Sequence, residues 1–258
     1  LGSGSNRRQQ DVAGQSNMKQ VALECGGKTP QVFMADIEDL DRAVTAAYRG
    51  IYTNMGEVCN AGSRLLVDRS IRKKFVERFI ELGQDAFKPG DPLDPGTNMG
   101  PLVTRDDQKR VLGMIDKGRK EGAKLEFGGD TPAKLKKGAY VNPTLFTGVK
   151  NDMTIARQEI FGPVASVIEF NGVDEAIRIA NDTIYGLAAG VWTRDLNTAF
   201  RLVRGIEAGI VWINCFDEGD MTQPFGGFKQ SGNSRDKCLD SFKSYTQSKS
   251  AWFRLQEG

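Results

Sequence analysis

The sequence predicts an α/β fold with a largely parallel sheet flanked by helices. Two observations carry that expectation. Short apolar runs alternate with amphipathic stretches of helical period, most regularly between residues 164 and 214. Their spacing suits parallel strands joined by crossover helices. In addition, 258 residues are enough to bury a sizeable core, as one large domain or two small ones.

Taken in order, Val21 to Glu24 and Gln31 to Met34 read as short strands flanking a Gly26–Gly27 turn. Asp39 is placed to cap a helix whose apolar face is Leu40, Ala43, Val44, Ala47, Tyr48 and Ile51. A loop around Cys59 follows, and RLLVD, Arg64 to Asp68, reads as a strand. Ser70 is the expected cap of a helix with a core-facing stripe of Ile71, Phe75, Val76, Phe79 and Ile80. Lys88 to Pro101 holds four of the nine prolines and reads as a long surface loop. Thr104 and Asp107 approximate a capping box, opening a helix that closes at Gly122. AKLEFGG is a strand and turn, and a charged loop from Pro132 to Gly138 leads to YVNPTLF. After QEIFGPV come a strand (Val164 to Phe170), a short helix (Asp174 to Asn181) and a strand (Gly186 to Thr193). Asp195 caps a helix reaching Arg204, and Gly209 to Asn214 is a further strand. Cys215 to Gly232 is a glycine-rich loop with Phe216, Phe225 and Phe228, and Lys243 to Leu255 reads as an edge strand. The pattern leaves the strand order open.

Composition excludes several functions. Net charge is +2, with 35 basic and 33 acidic residues interspersed, and no basic block marks a nucleic-acid surface. No apolar run approaches a membrane span, and the start lacks a signal-peptide pattern. The four cysteines lie far apart without a C-x-x-C, which argues against a zinc site or disulfide framework and for a reducing cytoplasm. There is no histidine, so Ser-His and Cys-His triads and histidine-ligated metals are excluded within this chain. Any proton transfer must use carboxylate, lysine, tyrosine, cysteine or water.

Two stretches carry candidate chemistry. YTNMGEVCNAGSR, Tyr52 to Arg64, sets Cys59 among small residues where a helix gives way to a turn, which suits a nucleophile. VALECGGKTP, Val21 to Pro30, places Glu24 after an apolar run and ahead of two glycines. Partial desolvation there would raise its pKa and let it act as a general base near neutrality. With QEIFGPV (Gln158 to Val164) and PFGGFKQSG (Pro224 to Gly232), the set resembles the signature motifs of the aldehyde dehydrogenase superfamily, in family order, over about residues 17–255.

The resemblance implies the Rossmann-like catalytic domain of an aldehyde dehydrogenase over residues 17–242, with residues 1–16 a linker or remnant of an upstream nucleotide-binding domain. Residues 243–258 would be a terminal strand or tail involved in subunit assembly. It implies NAD(P)-dependent oxidation of an aldehyde to a carboxylic acid, with Cys59 as nucleophile and Glu24 as general base. Glu159 matches the residue that binds the nicotinamide ribose, and Phe161 the aromatic beside the nicotinamide. Phe225 matches an aromatic of the substrate tunnel, and Asn214 an asparagine supporting the active-site loop. Asp217, Glu218 and Asp220 form an acidic loop that could attract an amine-bearing aldehyde. DEGDMTQPFGG and SRDK look most like γ-glutamyl-γ-aminobutyraldehyde dehydrogenases and related aminoaldehyde enzymes. The resemblance further implies a cytoplasmic homo-oligomer and no metal.

The chain also departs from the family pattern. The family's upstream dinucleotide-binding unit and its oxyanion asparagine find no match here, and no G-x-G-x-x-G occurs elsewhere. Cys25 stands where leucine is frequent. Two alternatives stay open: a CoA-acylating dehydrogenase, against which Glu24 argues, and a non-catalytic assembly or binding domain.

Overall fold

The structure is a computed structural model that describes residues 11–256. Most of the expected 1–16 linker, residues 1–10, lies outside the described residues. The elements in chain order are β1 (Pro30–Phe33), α1 (Leu40–Tyr52), β2 (Arg64–Asp68), α2 (Arg72–Gly83), α3 (Arg105–Lys120), β3 (Lys124–Phe127) and β4 (Thr144–Thr147). They continue with α4 (Thr154–Arg157), β5 (Val164–Phe170), α5 (Gly172–Asn181), β6 (Tyr185–Gly186), β7 (Ala188–Trp192), α6 (Leu196–Gly205), β8 (Ile210–Ile213) and β9 (Phe228–Lys229).

Seven strands form one sheet in the order β3-β4-β5-β2-β1-β7-β8, and β6 pairs with β9 apart from it. All neighbours in the large sheet run parallel except β3 against β4. Side-chain alternation sends Phe33, Leu65, Val67 and Val167 to one face, against Ala43, Val44, Ala47, Ile51, Phe75 and Phe79 of α1 and α2. Val32, Leu66, Val164 and Ile168 point the other way, against Val111, Ile115, Ile155, Ile179 and Leu202 of α3 to α6. Two cores on one sheet make a three-layer α/β/α sandwich, as parallel strands with crossover helices require.

Three predicted caps form. Asp39, Thr104 and Asp195 each accept a backbone N–H three residues on. Ser70 does not cap: its N–H and hydroxyl both donate to Asp68 Oδ1, so α2 begins at Arg72 without a side-chain cap. Gly186 to Thr193 is broken at Leu187, whose carbonyl accepts from Gly209 and Ile210; Tyr185–Gly186 turns away to pair with β9.

Two expected strands are absent. In Val21 to Glu24 only Glu24 pairs, as an isolated bridge to Gly232, because the Leu23 and Cys25 amides go to Asn233 Oδ1 and the Ser231 carbonyl. Lys243 to Leu255 forms no strand: a 3₁₀ turn spans Leu239–Tyr245, and residues 246–256 have no regular structure. Trp252, Phe253 and Leu255 stand 87–95% exposed, with no neighbouring strand among the described residues to receive them.

Candidate active site

Glu24, Cys59 and Glu159 each lie five or six residues ahead of a strand, β1, β2 and β5. Those strands are adjacent, so three loops distant in sequence meet at the amino-terminal edge of the parallel sheet. Open α/β sheets more often place ligands at the carboxyl ends.

The Cys59 loop is forced by its backbone. After α1, residues Asn54, Met55 and Gly56 all take positive φ, at 49°, 57° and 73°. A Cβ on Gly56 would lie 2.3 Å from the Gly162 carbonyl oxygen, so only glycine fits against the loop that carries Glu159. Cys59 is half-buried. Burial pushes its thiol up; the Asn60 amide and its own amide, both directed at the sulfur, pull it down, while Glu159 and Glu24 push it up again. The two N–H groups are what a thiolate or a developing oxyanion needs. No hydrogen bond joins Cys59 to Glu24 among the described residues; they interact through charge.

Glu24 is fixed by the fourth motif. Cys25 N–H donates to the Ser231 carbonyl, and the Ser231 hydroxyl donates to the Gly26 carbonyl at 2.8 Å. Asn233 completes the clasp on Leu23 N–H and the Val21 carbonyl. A Cβ on Gly232 would lie 2.1 Å from the Leu23 carbonyl, and one on Gly226 would lie 2.9 Å from Glu24 Oε1. More than a third of the Glu24 surface meets solvent, yet its pKa is pushed to about 7, by desolvation first and by Asp236 second, with Arg235 opposing. Phe225 lies beside this group, pairing with Asp236 and carrying Lys237 Nζ 5.5 Å over its ring.

The Glu159 carboxylate sits over Gly26 and accepts weakly from Gly27 N–H at 3.4 Å. A Cβ on Gly26 would fall 1.9 Å from Glu159 Oε2, so the glycine pair is the seat of this carboxylate. Burial raises its pKa, against Gly27 N–H and the charges of Lys28 and Arg110. Phe161 is half-buried at φ 49°, and Arg110 of α3 donates to the carbonyls of Ile160 and Phe161, pinning that strained turn.

Asn214 lies elsewhere. It sits at the carboxyl end of β8, where its amide bonds both Thr193 N–H and the Thr193 carbonyl. The loop leaving it crosses back, and Asp217 accepts from Asn60 Nδ2 at 2.8 Å, next to Cys59. A cavity of about 370 Å³ opens there. Val58 and Asn60 line it on either side of Cys59, which does not itself line it, with Arg42 and Arg49 facing Asp217 and Glu218. Asp220 is turned away into its own turn, accepting from the amide and hydroxyl of Thr222. Among the described residues no group of histidine, cysteine or acid side chains could hold a metal.

Sequence reasoning missed several contributors. Asn60 positions Asp217 across 157 residues of sequence. Asp236 and Arg235 tune Glu24. Lys28 and Arg64 are cations wholly buried beneath the loops. Nothing local marks these partners, because each contact depends on the fold.

This geometry sets a cysteine near two carboxylates on a doubly flanked parallel sheet. Residues 3–251 match the aldehyde dehydrogenase family, and the chain belongs to it. Cytosolic aldehyde dehydrogenase 1 of Mus musculus is 43% identical over 247 residues, which cover 96% of this chain and 48% of the relative. The chain thus spans about half the length of the curated relatives it matches. An indole-3-acetaldehyde dehydrogenase solved with NAD+ superposes with a TM-score of 0.95 at 51% identity, covering 98% of this chain and 51% of the other. A γ-glutamyl-γ-aminobutyraldehyde dehydrogenase from Burkholderia cenocepacia J2315 gives 0.91 at 51% identity, covering 95% and 49%.

Proposed function

We propose that this chain is the catalytic part of an NAD(P)-dependent aldehyde dehydrogenase that oxidises an aldehyde to a carboxylic acid. The observation that carries the reading is the meeting, at one sheet edge, of a Cys59 sulfur facing two N–H donors and a Glu24 carboxylate poised near pH 7. Cys59 loses its proton and its sulfur bonds the carbonyl carbon, while the amides of Cys59 and Asn60 receive the charge on oxygen. Glu159 and Phe161 would hold the nicotinamide end of NAD(P); the seat that Gly26 leaves open, where a Cβ would collide, fits that assignment. The chemistry NAD(P) supplies when bound is a hydride acceptor for the adduct carbon. Cys59 then carries the substrate as a thioester, and Glu24 takes a proton from water, whose oxygen bonds the acyl carbon and frees the thiolate.

The cavity beside Cys59 is the aldehyde's approach, with Asp217 in its wall and Phe225 on the Glu24 side, and Asn214 anchors the start of the loop that leads to them. The aminoaldehyde class is the substrate reading, supported by Asp217 and Glu218 and by the relative that acts on γ-glutamyl-γ-aminobutyraldehyde. The exposed Trp252, Phe253 and Leu255 support assembly into a homo-oligomer. No helix among the described residues is long and apolar enough to cross a membrane, and four unpaired cysteines favour the cytoplasm.

Residues 17–242 act as the catalytic unit and, without a unit holding the adenosine and pyrophosphate, bind NAD(P) poorly. The test is NAD(P)H formation from aldehyde by this chain and by a form extended to its relatives' length, each beside Cys59→Ala. The reading expects Cys59-dependent turnover in the longer form and a much smaller rate in this chain. Turnover in the longer form that survives Cys59→Ala would refute it.

A further inference from the structure

The cavity beside Cys59 carries opposite charges that do not meet. Arg42, Thr45, Ala46 and Arg49 line one wall, all from one face of α1, because helical residues three, four and seven apart share a face. Thr53, just past the helix, continues that wall toward the nucleophile. Arg49 precedes Thr53 by one turn, about 6 Å along the axis, and Arg42 lies two turns further out, about 10 Å. Val58 and Asn60, on either side of Cys59, form the inner end, and Asp217 and Glu218 line the cavity from the loop after β8.

The acidic loop is fixed against the helix. Phe216 packs over Gly50 of α1 and Gly190 of β7, where a Cβ would lie 2.7 Å and 2.9 Å from its ring. The Trp212 ring lies beside it, centroids 4.9 Å apart, and the Trp212 indole N–H donates to the Glu218 carbonyl at 2.6 Å. Asn60 Nδ2 donates to Asp217 Oδ1 at 2.8 Å. Gly50 directly follows Arg49 and Phe216 directly precedes Asp217, so one packing contact brings the basic and acidic walls together. Even so, among the described residues no ion pair or side-chain hydrogen bond engages Arg42, Arg49 or the Glu218 carboxylate. Asp41, next to Arg42 in sequence, does find a cation, Arg78, at 2.6 Å. Opposite charges held near each other with a cavity between them leave a gap that a ligand bearing both charges closes.

We propose that this cavity selects an aldehyde whose far end is an amino-acid group, with Arg49 and Arg42 receiving its carboxylate and Glu218 its ammonium. A guanidinium matches a carboxylate with two parallel N–H bonds, which gives direction as well as attraction. The substrate chain runs along α1 from Cys59, so Arg49 meets the carboxylate of a short substrate and Arg42 that of a longer one. An aldehyde with an amine alone satisfies the acid but meets the arginines as like charge, and is bound less well. The proposal deepens the aminoaldehyde reading and rests on it for the direction of the aldehyde toward Cys59; binding of the amino-acid end needs neither cofactor nor turnover.

The test is calorimetric titration of this chain, without cofactor, with norleucine (amino-acid end and apolar tail), hexanoate (carboxylate alone) and pentylamine (ammonium alone). Norleucine is expected to bind about tenfold tighter than either of the others. The double variant Arg42→Gln, Arg49→Gln changes only exposed side chains and keeps the fold. It is expected to weaken norleucine about tenfold and to erase its advantage over pentylamine. Norleucine no tighter than pentylamine or hexanoate, norleucine unmoved in the double variant, or no norleucine binding at all would each overturn the proposal. In the extended enzyme, the preference for 6-oxohexanoate over hexanal, as a ratio of kcat/KM, is expected to fall about tenfold in the double variant, through KM. An equal fall in kcat for both aldehydes with the ratio unmoved would mark the arginines as structural and overturn their selective role. Absence of Cys59-dependent NAD(P)H formation from any aldehyde would sink the dehydrogenase reading and leave the titrations to decide the binding.

Discussion

The two edges of the parallel sheet are built in opposite ways. At the carboxyl edge, Asn214 satisfies both backbone groups of Thr193, and Asp36 accepts from the Thr193 hydroxyl at 2.8 Å. Those groups are paired, although Trp192 Nε1, at the end of β7, is buried without a partner among the described residues. At the amino edge, Glu24 is pushed to about 7, Glu159 holds one long bond and Lys28 Nζ holds none. There the backbone is the tight part: Gly26, Gly56 and Gly232 leave no room for a Cβ. The difference separates an edge held by paired side chains from the edge proposed to react, where a rigid glycine frame keeps under-satisfied side chains close together.

Substitutions can break that contrast, and the largest effect falls on the amino edge. Cys59→Ala should lower aldehyde turnover in the extended enzyme by roughly 10⁴-fold or more, while unfolding free energy changes by about 1 kcal/mol or less. Steady-state kinetics beside urea unfolding reads both. Glu24→Gln should cut the steady-state rate by about 10²–10³-fold and leave a pre-steady-state burst of NAD(P)H. A burst-free trace at the parent rate would remove Glu24 from the base role. Gly232→Ala, at φ 131° with a Cβ 2.1 Å from the Leu23 carbonyl, should cost roughly 3 kcal/mol of stability and displace Glu24. Asn214→Ala, at the other edge, should cost only about 1–2 kcal/mol, since its lost bonds are open to water. Urea midpoints in the opposite order would show that the frame has been misplaced.

The smallest effect is a pH slope. Glu24 binds its proton more tightly folded, at about 7, than at its ordinary 4.5. The folded state therefore holds more protons across that window, and stability falls as pH rises through it. Glu24→Gln should flatten the slope between those two values. Parallel stability curves for both proteins would indicate that the carboxyl is not shifted.

Much of this was legible before any fold was known. Helical periodicity located α1 and α2, and local chemistry gave the Asp39, Thr104 and Asp195 caps. The Cys59 and Glu24 stretches stood out because small residues and glycines are unusual neighbours for a packed element. What escaped depends on distant partners. Val21 to Glu24 has strand composition, yet its amides are taken by Ser231 and Asn233. Lys243 to Leu255 runs polar then apolar, as an edge strand could, but finds no sheet edge. Ser70 lost its cap to the nearer Asp68 carboxylate. Lys28 is buried under the crossover of α5 over β1 and β2, which no local pattern announces. The residues that meet do so at the amino ends of adjacent strands, which the open strand order did not foretell.

The central claim is that Glu24 ionises near pH 7 and delivers water to an acyl group on Cys59. The most direct measurement needs no cofactor. Cys59 is acylated with an activated ester, and loss of the acyl group is followed by mass spectrometry from pH 5 to pH 9, in this chain and in Glu24→Gln. The account predicts hydrolysis that accelerates as pH rises through about 7 in the parent and lacks that limb in Glu24→Gln. Superimposable pH profiles for the two proteins would contradict it.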